Sequence, residues 1–200
     1  MAKTYLALGD SYTIGESELL SESFPYQTVQ LLRTKGLKIT ALEIIAKTGW
    51  TTGELLKSVS ETNFLKSYDF VSLLIGVNNQ YRGLSVKNYK LEFKILLNRS
   101  IAFAKNNPEH VFVLSIPDWG GTPFAEGRDR KKIAAEINEY NKACKMITER
   151  SGCTFIDIKN AQTEVNSSEM LAADGLHPSG KEYTKWSEKL AAFIFAAHSA

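Results

Sequence analysis

The chain alternates short segments that are apolar at almost every position with longer segments whose apolar residues recur at helical spacing, and this alternation constrains its fold most. The short segments predict five β-strands, at residues 4–8, 38–46, 69–75, 110–116 and 153–158. Near-continuous apolar runs are typical of parallel strands that helices cover on both faces, because a strand with one face in water alternates apolar and polar residues. The strands are therefore expected to form one parallel sheet.

The segments between these strands predict amphipathic helices. Apolar residues at steps of three and four run through 85–105, 129–150 and 180–196, and further helices are predicted at 23–35 and 52–59. The stripe of the last helix is formed by Tyr183, Trp186, Leu190 and Phe193. The repeated strand–helix alternation predicts an α/β fold, a three-layer α/β/α sandwich around a five-stranded parallel sheet with flavodoxin-like strand order.

Length and composition favour a single domain over residues 1–200. The chain of 200 residues is 44% hydrophobic, with no internal repeat and no linker rich in proline and glycine. Its 24 basic and 22 acidic side chains give a net charge of +2, and the lysines are scattered, so nothing indicates a nucleic-acid partner. No apolar run approaches the roughly 20 residues of a membrane span, which argues against stable membrane insertion.

The N-terminus and the cysteines bear on the cellular compartment. The chain passes almost at once into the first predicted strand and leaves no room for a signal peptide, which predicts a cytoplasmic protein, or a secreted or periplasmic one if a signal peptide has been removed. Cys144 falls on the apolar stripe of a predicted helix and Cys153 begins a predicted strand. Two buried free thiols are the favoured interpretation, with a disulfide as the alternative. The oligomeric state is not indicated.

Polar and small residues follow the predicted strands at the edge where parallel sheets bind ligands. In an open parallel sheet, ligands lie outside the carboxyl ends of the strands. Candidate segments are 9–13 after the first strand, 47–50 after the second, 76–79 after the third and 174–178 before the last helix. The irregular segment 117–128 follows the fourth strand, and its length and three glycines favour a functional, mobile rim.

Ser11 is a candidate nucleophile if a base can take its proton. Of the three histidines, His198 lies near the C-terminus and His110 begins the fourth strand, at the opposite end of the sheet. His177 alone is expected at the carboxyl edge. Asp174 lies three residues before it, near enough to hold the imidazole in one tautomer and to stabilise its charged form.

Hydrolysis of a carbonyl compound also needs hydrogen-bond donors aimed at the developing oxyanion. The backbone N–H groups of Ser11 and Gly49 could supply two of them, and the side-chain amide of Asn78 a third. A glycine at position 49 would let the backbone approach a substrate closely. In the alternative interpretation, Gly49 and Gly76 only form turns after strands.

Four short blocks resemble one enzyme family. The segments ALGDSYTIGES, TGWTT, LLIGVNN and DGLHPS are similar to blocks of the SGNH or GDSL esterases and lipases. They occur in the family's order, each after its own predicted strand, and together span residues 6–179. The resemblance implies a three-layer α/β/α fold and a Ser-His-Asp hydrolase that acts on a small-molecule ester without a metal or a cofactor.

The resemblance also assigns roles to individual residues. It implies Ser11 as the nucleophile and as one oxyanion donor, Gly49 as the second backbone donor and Asn78 as the side-chain donor. It implies His177 as general base and Asp174 as its partner. The substrates left open are short-chain acyl esters, acetylated carbohydrates and lysophospholipids.

The sequence departs from the family pattern at two positions. Tyr12 stands where the name-giving leucine would be, and Asn79 stands where many members have aspartate. Neither position has a catalytic role, so the departures concern subfamily and substrate. Residues beside the blocks that are candidates for a substrate pocket, or alternatively for the core, are Asp10, Trp50, Asn79, Tyr81, Trp119 and Phe124.

Two other functions remain open on the residues alone. The hydroxyl-rich segment 11–17 after a first parallel strand is also typical of a flavodoxin-like phosphate- or flavin-binding loop. That hypothesis has no use for Asp174, His177 and Asn78 together. The second is a non-catalytic carbohydrate-binding or interaction module on the same fold, against which the complete set of Ser11, His177 and Asp174 argues.

Overall fold

The five predicted strands form a single parallel sheet. The computed structural model describes residues 2–158 and 168–199. The strands are β1 (Lys3–Gly9), β2 (Ile39–Ala46), β3 (Phe70–Leu74), β4 (Val111–Leu114) and β5 (Thr154–Ile156). Their order in the sheet is β2-β1-β3-β4-β5, and every neighbouring pair is parallel. The predicted flavodoxin-like order is therefore confirmed.

Helices cover this sheet as predicted. They are α1 (Ser11–Ile14), α2 (Phe24–Thr34), α3 (Thr52–Glu61), α4 (Val77–Tyr81), α5 (Val86–Phe103), α6 (Arg130–Arg150) and α7 (Gly180–Ser199). Helices α2 and α7 pack against each other, while α5 packs against both α3 and α6. The short helices α1 and α4 were not expected, because a single turn is too brief to show a periodic apolar pattern. The result is the three-layer α/β/α sandwich.

The central strands are buried on both faces, which explains their continuous apolar runs. Every residue of β3 is buried, and in β1 the run from Tyr5 to Gly9 is buried as well. The two polar side chains here satisfy each other, since the Tyr5 hydroxyl lies 2.7 Å from Ser72 Oγ. The edge strand β2 is mostly half-buried.

The helical stripes are correct except at one position. Tyr183, Trp186 and Leu190 of α7 are buried, but Phe193 is 44% exposed and Ile194 is buried in its place. At about 100° per residue, Ile194 lies within roughly 20° of Tyr183 around the helix axis, whereas Phe193 lies at the border of the stripe. In α7 the buried face is therefore continued by Ile194 and not by Phe193.

Both cysteines are free and buried, as favoured from the sequence. Burial raises the pKa of the Cys144 and Cys153 thiols to about 12. In the described parts of the chain, no helix combines the length and the apolar character needed to cross a membrane.

The turn from β3 into α4 requires glycine at position 76. Gly76 has a φ of +132°, which L side chains rarely adopt. A Cβ atom there would lie 2.6 Å from Tyr89 Cε2 and 2.7 Å from Ile116 Cδ1. Both the backbone conformation and the close packing therefore restrict position 76 to glycine.

We predict that Gly76→Ala destabilises the protein more than Gly83→Ala. Gly83 also has a positive φ, +68°, but a Cβ there would meet no atom of the described chain within 4 Å. Gly83→Ala should cost about 1 kcal/mol of backbone strain, and Gly76→Ala a further ~1–3 kcal/mol from overpacking. Urea denaturation of both variants checks this, and equal losses would contradict the packing argument.

A buried aspartate links β1 to α1. Asp10 caps α1, and its Oδ1 accepts a 3.1 Å hydrogen bond from the backbone N–H of Tyr12. Its Oδ2 is buried without a hydrogen-bond partner in the described part of the chain. Burial raises the pKa of Asp10 from 3.8 to about 7, and the hydrogen bond from Tyr12 only partly opposes this.

Asp10 should make stability depend on pH. The unfolded carboxyl ionises near 3.8, whereas the folded one keeps its proton to about 7, so the folded state loses relative stability as pH rises through this interval. Each pH unit there is worth up to about 1.4 kcal/mol. Asparagine keeps the cap and cannot ionise.

We therefore expect Asp10→Asn to become more favourable relative to the wild type between about pH 4 and about pH 7. Unfolding free energies of both proteins across that range test this. A difference that does not change with pH would contradict it.

Candidate active site

Ser11 lies at the carboxyl edge of the sheet, where β1 ends. It is the first residue of α1 and is only 4% exposed. His177 lies in the loop before α7 and is likewise buried. Although the two residues are 166 positions apart, His177 Nε2 is 3.0 Å from Ser11 Oγ. Parallel strand order brings them together, as predicted.

Asp174 holds both the histidine ring and the loop that carries it. Its Oδ2 is 2.6 Å from His177 Nδ1. Its Oδ1 accepts hydrogen bonds from the backbone N–H groups of His177, at 3.0 Å, and Leu176, at 2.9 Å. With the proton on Nδ1, His177 donates to Asp174 and leaves Nε2 free to accept from Ser11.

The carboxyl of Asp174 stays ionised because of the donors around it. Partial burial acts to raise its pKa, but hydrogen bonds from the side chain and backbone of His177, from the backbone of Leu176 and from the Ser17 hydroxyl outweigh it. The pKa of Asp174 is therefore held well below its ordinary range. The Ser17 bond is 2.7 Å long, and Ser17 has a φ of +66°.

Gly49 forms a tight turn beside Ser11. The backbone N–H of Trp50 donates to the carbonyl of Lys47, at 3.2 Å, and Gly49 has a φ of +82°. Thr48 is not among the residues with positive φ, so the turn is type II with Gly49 at its third position. The peptide at the centre of the turn carries the Gly49 N–H.

Asn78, the second residue of helix α4, lies next to this segment. Its Nδ2 donates a 3.0 Å hydrogen bond to the carbonyl of Trp50. A primary amide has two N–H donors, so one remains for another acceptor. Ser11, Gly49, Asn78 and His177 all line one cavity of about 170 Å³.

An aromatic wall closes one side of this cavity. Tyr81, Trp119 and Phe124 contact one another with ring centroids 5.4–6.2 Å apart, and all three line the cavity. Trp119 Nε1 donates to Gln80 Oε1 at 2.7 Å, which fixes the indole. The Arg128 guanidinium lies 5.2–5.5 Å from the three ring centroids. Segment 117–128 thus reaches the site; its mobility stays a prediction.

Three of the six pocket candidates lie elsewhere. Asp10 is buried beneath the site as the helix cap described above. Asn79 is buried and bonds Thr52, accepting from its N–H at 3.0 Å and donating to its hydroxyl at 2.7 Å. The half-buried Trp50 packs against the core and contributes only its carbonyl, to Asn78. None of the three is among the residues that line the cavity.

Four further cavity residues lie within the candidate segments but were not predicted individually from the sequence. They are Tyr12, Thr48, Val77 and Leu176. Each adjoins a motif residue in the chain, so adjacency to Ser11, Gly49, Asn78 or His177 was the available signal. Ser17, which donates to Asp174, had no comparable signal.

The described residues include no group of three or more His, Cys, Asp or Glu side chains that could hold a metal ion. The residues that line the cavity bring hydroxyl groups, the imidazole of His177 and the amide of Asn78. Such groups can transfer a proton and stabilise a developing negative charge on oxygen.

Solved structures share this fold over nearly their whole length. A lipase/acylhydrolase from Enterococcus faecalis is 21% identical, with 97% of this chain and 96% of that chain covered and a TM-score of 0.76. The acetylxylan esterase Axe2 from Geobacillus stearothermophilus is 20% identical (96% and 94% covered, TM-score 0.75). The psychrotrophic esterase EstA from Pseudoalteromonas sp. is 17% identical (99% and 100% covered, TM-score 0.74).

Sequence comparison gives the family directly. No curated protein sequence matches the chain significantly. The model of the GDSL-like lipase/acylhydrolase family, however, matches residues 7–185, which include every residue placed at the site above. The chain therefore belongs to the GDSL-like lipase/acylhydrolase family and is a carboxylic ester hydrolase.

Proposed function

We propose that Ser11, His177 and Asp174 act as a catalytic triad that hydrolyses short-chain acyl esters. One observation carries the proposal: a continuous chain of hydrogen bonds runs from Asp174 through His177 to Ser11, with heavy-atom distances of 2.6 Å and 3.0 Å. Both distances suit proton transfer and orientation of the base.

In the proposed reaction, Ser11 Oγ attacks the ester carbonyl carbon while His177 Nε2 takes its proton. The bond from the carbonyl carbon to the alcohol oxygen then breaks, and His177 gives the proton to the leaving alcohol. Water attacks the acyl-enzyme by the same route and releases the acid and free Ser11. Asp174 stays ionised throughout and stabilises the imidazolium of His177.

The oxyanion hole proposed for this reaction consists of the backbone N–H groups of Ser11 and Gly49 and the second N–H of Asn78. All three residues line the cavity that His177 also lines. The type II turn supports the role of Gly49, since the turn determines the direction of its N–H. A donor of this kind contributes on the order of 10²–10³-fold to the rate.

Cavity size supports short acyl groups. The cavity of about 170 Å³ is well below the ~300–1,000 Å³ of pockets for drug-sized ligands. It is close to the ~150 Å³ that encloses one benzene molecule. An acyl group of about six carbons or fewer fits, whereas a lysophospholipid would leave most of its chain outside. The similarity to Axe2, whose name gives acetylxylan as substrate, is compatible with an acetylated carbohydrate.

A phosphate- or flavin-binding role for 11–17 is less well supported. The hydroxyls of Ser11 and Ser17, which that function would need, are bonded to His177 and Asp174. Helix α1 has only four residues, so its dipole is small.

We predict that Ser11→Ala and His177→Ala each lower kcat for p-nitrophenyl butyrate by on the order of 10³-fold or more, because each removes a group that acts in bond formation. A fluorophosphonate should label the wild type at Ser11 and leave Ser11→Ala unlabelled. Circular dichroism should show both variants folded.

His198→Ala, at an exposed histidine, is the control and should keep full activity. Full turnover in either triad variant would contradict the assignment.

Acyl specificity should end near six carbons. We expect kcat/KM for p-nitrophenyl esters to rise up to hexanoate and not to rise further up to decanoate, since the additional methylenes stay in water and gain nothing from burial. Phe124→Ala should extend the optimum to longer chains because it opens the aromatic wall. Phe193→Ala is the matched control, as Phe193 is similarly exposed (44% against 39%) and does not line the cavity. A kcat/KM that keeps rising from hexanoate to decanoate would rule out the size limit.

A further inference from the structure

Arg82 binds the backbone of the turn that carries Gly49. It directly follows helix α4, and its Nη2 donates to the Gly49 carbonyl across 33 positions of sequence. Its Nη1 pairs with the Glu54 carboxylate, 3.3 Å from each oxygen. A planar guanidinium can hold two acceptors in fixed directions at once, which an ammonium does less well.

Side chains hold three consecutive residues of this segment. Arg82 binds the carbonyl of Gly49, and Asn78 binds that of Trp50. Glu54 Oε2 accepts from the backbone N–H of Thr51 at 2.8 Å, as part of the capping box of α3. Hydrogen bonds therefore connect the backbone of residues 49–51 to helix α3, to helix α4 and to the residue that directly follows α4.

Glycine does not hold this turn by itself. Because Gly49 adopts positive and negative φ with similar ease, the central peptide of the turn could face either way. The following peptide, between Gly49 and Trp50, has both polar atoms engaged, its N–H with Lys47 and its carbonyl with Arg82. Because both of its polar atoms are bonded, that peptide cannot rotate freely. It therefore restricts the orientation of the preceding peptide, which carries the Gly49 N–H.

We propose that Arg82 is a positioning residue for the oxyanion hole, which keeps the Gly49 N–H directed at the reacting carbonyl. The proposal rests on the oxyanion hole proposed above. The Arg82–Glu54 pair is nearly half exposed, so as an ion pair it contributes little to folding. Its effect is expected in the chemical step, where a misdirected donor lowers transition-state stabilisation while ground-state binding changes little.

The test compares Arg82→Ala and Arg82→Lys with Arg33→Ala. Arg33 is the matched control, because it also binds a backbone carbonyl, that of Ile39, with N···O distances of 2.9 Å and 2.7 Å, at the start of β2. For p-nitrophenyl butyrate we expect Arg82→Ala to lower kcat about 10- to 100-fold with KM within about twofold. Arg82→Lys should lie between Arg82→Ala and the wild type, and Arg33→Ala should keep the wild-type kcat.

Rescue by guanidinium ion distinguishes a positioning role of Arg82 from a purely structural one. Added at low millimolar concentration, it should restore part of the kcat of Arg82→Ala, and should not raise that of the wild type or Arg33→Ala. The rate of Ser11 labelling by a fluorophosphonate should fall in Arg82→Ala in parallel with kcat. If Arg82→Ala does not fold, Arg82→Lys, which can still pair with Glu54, decides by its kcat and KM and by the rate of Ser11 labelling.

The outcomes separate the two proposals. A wild type that neither hydrolyses esters nor reacts at Ser11 would remove the triad, and the role of Arg82 with it. An active wild type with unchanged kcat in Arg82→Ala and Arg82→Lys would overturn the role of Arg82 alone. A rise in KM without a fall in kcat would also overturn it, because Arg82 would then contribute to substrate binding.

Discussion

The parallel direction of all five strands is the constraint on which the site depends. Each strand must end at the same edge, so the segments after β1, β2 and β3 emerge side by side although the chain makes a helical crossover between them. Ser11 and His177 can therefore meet across 166 positions of sequence. Rigid, buried strands supply positions, and short loops supply chemistry, which is the usual division of labour in α/β proteins.

A single carboxylate, that of Asp174, holds both the His177 ring and the loop that carries it. Asp174 accepts from the loop backbone with one oxygen and from His177 and Ser17 with the other, so the same ionised group shapes the loop and fixes the ring. Asp10 is the opposite case. It lies one residue before Ser11, yet burial keeps it protonated to about 7, and it serves as a helix cap. Depth of burial and the number of donors around a carboxyl, and not its distance from the nucleophile, separate the two.

The sequence was sufficient for the fold and for the residues that meet at the site, because apolar periodicity and strand order determine both. It was insufficient for the direction of loop side chains. Trp119 and Phe124 reach the cavity, whereas Trp50 packs on the core, and no local pattern distinguishes them. Contacts such as those of Ser17 with Asp174 and of Arg82 with Gly49 join residues far apart on irregular backbone, where neither period nor propensity applies.

Backbone donors make a particular demand on such a site. A peptide N–H can approach a substrate only where side chains are absent, which favours glycine, but glycine also permits the peptide to turn away. Side-chain donors from α4 and its end compensate, since Asn78 and Arg82 hold the two carbonyls that follow the Gly49 N–H. If the Gly49 N–H is an oxyanion donor, as proposed, its preorganisation comes from polar groups that need not touch the substrate through those bonds. Gly49 thus allows the backbone to approach the cavity closely, whereas Asn78 and Arg82 make that backbone rigid. All three residues lie at the carboxyl edge of the sheet.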